Sequence, residues 1–497
     1  MSNSYIFTID QGTSATKTVI FNSKGQILAK ATEPLNSYFP QPLYVEQDPL
    51  EIYQNVLHSV EKCLKEFSRK VPGSLAEIAT CGISNQRETF VLWDTSGQPI
   101  SPAVVWQCKR SVGICDRLKG SDLEDEVRNR TGLIIDPYFS GTKLIWLYEN
   151  DERIRSAIEK GDAYFGTIDS WLLYKLTDGK NYCTDYTNAS RTLLFNINDL
   201  RWDNYLLESF NLKNLNLPEP KPSSFPYGES DFEGLFPDTV TISAMIGDSH
   251  AAAFGEGCFY CGMAKATMGT GSSILLNTGS ERIASKRGMV ATICWSTADR
   301  VDYALEGIIV TCGATINWLR DRLGLFADSR ETEQMALSVE DNNGVYLIPA
   351  FSGLGAPHWK MGLRAAILGL TFGCDKNHIV RAALESIPYQ IKDVIAAMEQ
   401  DSKIKLQELK VDGGITANHF VMQFLADLLK TNVVNIGIEE VSALGAAYLA
   451  GLQQDIFSDL EQLKSLSIDT KMFSPGSDTE DVQALYEGWK KAVQQLI

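Results

Sequence analysis

An apolar strand, a tight Gly-Thr turn and a second apolar strand open the chain as "YIFTIDQGTSATKTVIF" (Tyr5 to Phe21). The same pattern returns past the midpoint as "MAKATMGTGSSILLNTGS" (Met263 to Ser280). After the first copy, "TKTVIFNSKGQILAKATEP" continues into a third strand. "DPLEIYQNVLHSVEKCLKEF" then has apolar residues at helical spacing, with Asp48 as N-cap and Pro49 as first helical residue. "IATCGISN" follows as another short strand. After the second copy, "VYLIPAFSGLGAP", "HIVRAALESIPYQIKDVIAAM" and "ELKVDGGITAN" again supply strands and a helix, the helix carrying Pro388, which should kink it. Alternating strands and helices indicate α/β architecture. The repeated order predicts two similar domains, 1–254 and 255–497, with no low-complexity linker and a deep cleft between them.

Composition sets the boundaries of what such a chain does. At 497 residues it is too long for one compact core, and its 44% hydrophobic and 22% charged residues suit a soluble globular protein. The start "MSNSYIFTIDQG" has no basic segment leading into a long apolar one, so no signal peptide is expected. No apolar run reaches membrane-spanning length. A formal net charge of −17 without a Lys/Arg run argues against nucleic acid as a partner. Ten scattered cysteines point to a reducing, cytoplasmic setting. Cys258 and Cys261 form a C-x-x-C, but two further zinc ligands at comparable spacing are missing.

Three Gly/Thr turns follow apolar strands: "DQGTSATK" (Asp10 to Lys17), "MGTGSS" (Met268 to Ser273) and "VDGGITAN" (Val411 to Asn418). Such turns offer backbone N–H groups and hydroxyls to phosphate oxygens, because glycine allows close approach. Asp10, just before its turn, is placed to hold water on Mg²⁺, and Lys17 to reach a terminal phosphate. No G-x-x-x-x-G-K-[ST] is present, and "GTGSS" lacks the third glycine of a dinucleotide turn. In "IGDSHAAAFG" (Ile246 to Gly255), Asp248 stands between a strand and a helix start, a position suited to a general base. His250 has no evident metal partner and reads as a helix-start residue.

The paired turns, the duplicated halves and the central Gly-Asp resemble the FGGY carbohydrate kinases, within the actin/Hsp70/hexokinase-like ATPases built from two ribonuclease H-like domains. The resemblance spans Tyr5 to about Gly451 and is nearest to the glycerol kinases of that family. It is carried by "SNQRETFVLWD", "VVWQCKR", "TGLIIDPYFSGTKLIWL", "TDYTNASRTLLFN", "YALEG", "PAFSGLGAP" and "SALGAAYLAGL". "YFSGTKLIWLYEN" and "GLTFGCDKNHIVRAALE" fit the two family signatures. The resemblance implies ATP- and Mg²⁺-dependent phosphorylation of a terminal polyol hydroxyl, with Asp248 as base and as a carboxylate near the metal. It implies that Arg87 and Glu88 hydrogen-bond the polyol hydroxyls, and that Trp106 forms an apolar wall with Tyr138 nearby. Asp10, Thr13, Ser14, Lys17 and Thr270 would surround Mg²⁺ and the phosphates. Gly313, Asn317, Gly414 and Asn418 would line the nucleoside part of the cleft. The family is commonly dimeric or tetrameric, so a homo-oligomer is expected.

The chemistry is coherent without the resemblance. Phosphoryl transfer depends on alignment and charge stabilisation, and a carboxylate within reach of the hydroxyl both orients it and takes its proton. Adjacent Arg and Glu supply donors and acceptors for hydroxyls that do both. Alone, Arg87-Glu88 would read as a solvated pair, Trp106 as core and Asp248 as a helix cap; the order of the segments joins them.

Two positions depart from the glycerol kinase pattern. Ser249 and His250 stand where Gly-Asp-Gln-Gln is usual, and Ser273 stands where a Phe usually closes the pocket. Both leave a roomier, more polar pocket, suited to a tetritol, a pentitol or a xylulose-like ketose. Glycerol remains the favoured substrate because Arg87, Glu88, Trp106 and Tyr138 are retained. The segment "YGESDFEGLFPDTVT" lacks both the Gly-rich Arg loop used for fructose 1,6-bisphosphate and the phosphorylated His of some relatives, so neither regulation is expected. A non-catalytic, actin/Hsp70-like ATP switch is the reading from another class; it would need no polyol pocket.

Overall fold

The computed structural model describes residues 4–73, 75–438, 440–466, 470–476 and 480–497. Two compact units emerge, the first made of Met1–Gly257, Ala291–Tyr303 and Glu439–Ser467, the second of Cys258–Val290, Ala304–Ile438 and Ile468–Ile497. The units therefore differ from a single cut at residue 254, because two later segments return to the first. The physical reason is clear for the helix Val441–Gln453: residues Val441 to Gly451 are buried except Ser442, a surface that must be covered on nearly every side.

In the first unit, six strands form one sheet: β1 (Tyr5–Gln11), β2 (Ala15–Phe21), β3 (Ile27–Pro34), β4 (Ile78–Asn85), β5 (Ser224–Ser230) and β6 (Val240–Gly247), in the order β5-β6-β4-β1-β2-β3. β1 and β2 make the opening hairpin, with Asp10 opposite Lys17. β4 runs parallel to both β1 and β6. The register sets Asp10 beside Ser84 and Gly247 beside Asn85, so three strands end together. The helix Pro49–Lys70 packs on β2 and β3 and begins as its sequence requires, Asp48 accepting from the Leu50 N–H at 2.8 Å; such a cap contributes about 1 kcal/mol. Phe7, Ile9, Ile83, Trp93, Trp171, Tyr227 and Met245 lie in its core.

In the second unit the order β9-β8-β7-β10-β11-β12 joins β7 (Met263–Met268), β8 (Ser272–Gly279), β9 (Val301–Ile309, in this unit from Ala304), β10 (Glu408–Asp412), β11 (Val433–Asn435) and β12 (Lys471–Phe473). A hairpin with a third strand on one side and parallel strands on the other repeats the plan of the first unit. The helix Lys376–Ser402 continues through Pro388, which is buried. Its Tyr389 packs with Phe424, Tyr486 and Trp489 in a separate apolar cluster. Among the described residues no helix is long and apolar enough to cross a membrane.

Glycines fix how closely the Val441–Gln453 helix approaches its neighbours in the first unit. A Cβ on Gly445 would lie 1.8 Å from the Ala251 carbonyl oxygen, and one on Gly82 would lie 2.5 Å from that of Ala446. Neither neighbour is the end of a flexible side chain, so substitution must move backbone. Gly445→Ala is expected to destabilise the protein by roughly 3 kcal/mol, read as a lower denaturant midpoint, whereas Gly73→Ala, with open space around it, should cost little beyond its positive φ of 81°.

Candidate active site

The ends of β1, β4 and β6 deliver the candidate residues of the first unit. Asp248 is the first residue of the helix Asp248–Gly255, directly after β6, and its side chain is 39% exposed, open enough for a ligand to reach. Arg87 Nε lies 3.3 Å from Asp248 Oδ1. Gly247 is required there: a Cβ on it would sit 2.7 Å from Arg87 Cγ. The Ser249 N–H donates to Asp248 Oδ1 at 2.6 Å, which fixes the carboxylate against its own helix start. His250 is fully buried, its Nε2 3.4 Å from Thr292 Oγ1, and is not part of a metal group among the described residues.

Glu88 has a φ of 60°, and the Thr89 N–H donates to the Arg87 carbonyl at 2.6 Å, closing a γ-turn around it. A non-glycine residue held this way costs on the order of 1–3 kcal/mol, and such strain gathers at functional sites. The turn aims the buried Glu88 carboxylate at Arg191, whose Nε donates at 2.5 Å. Ser140 Oγ donates to the Glu88 carbonyl at 2.7 Å and holds the turn from the other side. Thus Glu88 is not a solvated partner of Arg87 but one half of a fully buried ion pair with Arg191.

Trp106 and Tyr138 meet edge to face at 5.5 Å, both partly exposed. Trp106 Nε1 donates to Thr13 Oγ1 at 2.9 Å, tying the aromatic wall to the first Gly-Thr turn. Behind the wall lies Lys143, fully buried, its Nζ donating to the Tyr138 carbonyl at 2.7 Å and to the Trp106 carbonyl at 3.3 Å. Burial pushes its ammonium down to about 8, against the pull of Glu88.

At the turn itself, burial and then the negative charge of Asp248 push Asp10 up to about 6, against the pull of Lys17. Lys17 Nζ is held 2.6 Å from buried Glu440, which also lies 3.3 Å from Lys30 Nζ. Ser14 is exposed, and its carbonyl accepts from the Leu35 N–H.

The second unit brings its own turns together. Gly313 N–H donates to the Gly269 carbonyl at 2.9 Å, and Cys312 N–H donates to that of Thr270. Cβ atoms on Gly313 and Gly413 would lie 2.7 Å from the Gly269 oxygen and 2.4 Å from the Met268 oxygen, so both turns pack on the end of β7. Thr270, Asn317 and Gly414 are exposed. Asn418 is engaged structurally, its side chain accepting from the Val421 N–H and capping the helix His419–Leu429. Ser273 Oγ donates to buried Glu306 at 3.0 Å, so the hydroxyl there is turned onto a carboxylate. Cys258 is buried and Cys261 exposed, neither in a disulfide, and no group of three or more metal-ligating side chains occurs among the described residues.

Lys143, Arg191, Glu306 and Glu440 were not singled out from the sequence. The first three carry the same signal, a lone charge inside a small or apolar run ("GTKLIW", "NASRTLL", "YALEGII"), whereas Glu440 is the second of two adjacent glutamates; burial of such a charge requires a partner.

Family models for the FGGY carbohydrate kinases match residues 5–255 (N-terminal domain) and 264–453 (C-terminal domain). The chain is 47% identical over 495 residues to the glycerol kinase of Caldanaerobacter subterraneus subsp. tengcongensis, covering 99% of this chain and 98% of that one. It is 46% identical over 491 residues to the glycerol kinase of Bacillus anthracis, with 99% and 98% covered. Its structure matches that of Plasmodium falciparum glycerol kinase with ADP at a TM-score of 0.93 and 35% identity, covering 100% and 98% of the two chains. The gluconate kinase of Lactobacillus acidophilus shares the fold at 21% identity and a TM-score of 0.88. The protein belongs to the FGGY family of carbohydrate kinases.

Proposed function

We propose that this protein transfers the terminal phosphoryl group of ATP to a terminal hydroxyl of glycerol, giving glycerol 3-phosphate and ADP. The observation that carries this reading is the exposed Asp248 carboxylate at the end of β6, ion-paired to Arg87 and close enough to Asp10 to raise its pKa. The relatives named glycerol kinase at 47% identity over nearly the full chain support the substrate. Asp248 accepts a hydrogen bond from the reacting hydroxyl and takes its proton as the new O–P bond forms. Arg87 and Glu88 hold the remaining hydroxyls, and the Trp106–Tyr138 corner covers the C–H face. The first unit supplies the polyol residues and the base. Thr270, Gly313, Asn317, Gly414 and Asn418 of the second take the nucleotide. The enzyme is cytoplasmic, in keeping with ten cysteines of which none forms a disulfide, and assembles as a homo-oligomer, which light scattering checks.

Asp10 and Asp248 are a fitting donor pair for Mg²⁺, a hard cation bound through one or two carboxylates, with water and phosphate oxygens filling the other positions. Held there, Mg²⁺ would neutralise charge on the phosphates. Lys17 and the hydroxyls of Thr13 and Ser14 orient the same phosphates.

Three measurements test the reading. Asp248→Asn should lower kcat roughly 10²–10⁴-fold while leaving ATP binding by calorimetry intact; undiminished turnover would remove Asp248 as the base. Among glycerol, erythritol, xylitol, dihydroxyacetone and xylulose, glycerol should give the highest kcat/KM. The small side chains of Ser249 and Ser273 favour the larger substrates as the second reading, and a higher value for any of them would select it.

The third concerns pH. Asp10 has a native pKa of about 6, above its ordinary value of 3.8, so the folded state binds more protons between those limits. Stability therefore falls as pH rises through that window, and the whole penalty is present above about 6. Without metal or nucleotide, Asp10→Asn should raise the melting temperature by a few degrees at pH 8 and leave it nearly unchanged at pH 4. In the parent enzyme the Mg²⁺ concentration needed for half-maximal rate should climb as pH drops below about 6.

A further inference from the structure

A buried carboxylate that the proposed chemistry does not use joins two of the strand ends that carry the site. Asp185, fully buried, starts the short helix Tyr186–Ala189. Its Oδ1 accepts from Thr187 Oγ1 at 2.9 Å, from the Asn188 N–H at 2.8 Å and from Asn188 Nδ2 at 2.8 Å. Its Oδ2 accepts from the Thr187 N–H at 2.9 Å and from Ser223 Oγ at 2.7 Å. Five donors on one carboxylate exceed what a helix cap needs.

Two of those donors lead outward. Thr187 Oγ1 spends its proton on Asp185 and accepts the Gly247 N–H at 2.9 Å, the amide directly before Asp248. Asn188 exchanges two amide hydrogen bonds with Asn85, at 2.9 and 3.0 Å, at the end of β4 and two residues before Arg87. Asn85, Thr187 and Asn188 are fully buried as well, so water does not substitute for these bonds. The hydrogen bond to Asp185 polarises the Thr187 hydroxyl and strengthens it as an acceptor.

We infer that Asp185 is a positioning residue: through Thr187 and Asn188 it sets the spacing between the strand end that presents Asp248 and the one that presents Arg87 and Glu88. This rests on the reading of Asp248 as the base. Removing the Thr187 hydroxyl leaves the Gly247 amide without its acceptor, so the helix start shifts and the Arg87–Asp248 geometry with it. Nucleotide binding, built on other turns, is untouched.

The test uses the full-length enzyme with glycerol and ATP. Thr187→Val is expected to lower kcat at least tenfold with KM for ATP within twofold of the parent, and Thr187→Ser, which keeps the hydroxyl, to return kcat to within twofold. Asp185→Asn places an amide NH₂ against existing donors and should give a loss of the same order. Thr177→Val deletes another buried hydroxyl of this unit, bonded to the Leu173 carbonyl at 2.7 Å, and should lower the melting temperature with kcat unchanged. If Thr187→Val does not fold, Thr187→Cys keeps the volume with a weak acceptor and should still lose several-fold in kcat. A folded Thr187→Val or Thr187→Cys with parental kcat overturns the inference. If Asp248→Asn is inactive in the same series, the base assignment survives that failure; an active Asp248→Asn overturns the assignment of the base instead.

Discussion

The parallel register of β1, β4 and β6 is the constraint on which the first unit's chemistry depends. Pairing Asp10 with Ser84 and Gly247 with Asn85 ends three strands at one level. The residues at these ends, Asp10 among the last residues of β1 before its turn, Arg87 after β4 and Asp248 after β6, are then delivered to one place by backbone hydrogen bonds rather than by side-chain flexibility. Ligands of open α/β sheets bind outside the carboxyl ends of the strands for this reason. The register is locked from behind by the Val441–Gln453 helix, seated against β4 and the Asp248–Gly255 helix through Gly445 and Gly82.

Placing these groups together has an electrostatic cost, and the structure meets it with buried cations. Glu88 is matched by Arg191, Asp248 by Arg87, and the carbonyls beneath the aromatic wall by Lys143. A buried charge without its partner is costlier than the pair is favourable, so such arrangements specify geometry more than they stabilise the fold. Around Glu88 this matters twice over: its positive φ is held by the Thr89–Arg87 turn and the Ser140 hydroxyl, and its carboxylate by Arg191. The Glu88 carboxylate is therefore fixed at both its backbone and its head.

The sequence disclosed the fold well where periodicity and turns speak for themselves. The hairpin of β1 and β2, the capped helix at Asp48 and the strand-to-helix step at Asp248 all lie where their patterns put them. Long-range choices were hidden. Nothing local to "SALGAAYLAGL" says that it returns to the first unit; only the need to cover an apolar helix all round does so. The partners of Glu88 and Trp106 were equally hidden, because Arg191 and Lys143 reach them from distant segments. Asn418 shows the opposite case, a residue in a phosphate-like turn whose side chain is engaged as a helix cap.

Ser249 and Ser273 gain a different meaning from these surroundings. Replacing a larger side chain by serine suggests space, yet space alone selects weakly: a methylene more or less changes binding by about 1–3 kcal/mol. Unpaired polar groups select far more strongly. Ser273 does not face an apolar void, because its hydroxyl is already given to Glu306, itself buried. Ser249 is fixed differently, its N–H held by Asp248 Oδ1 while its side chain is half-buried. At Ser273, then, hydrogen-bond direction counts as well as volume: with its proton on Glu306, the hydroxyl oxygen is left to accept.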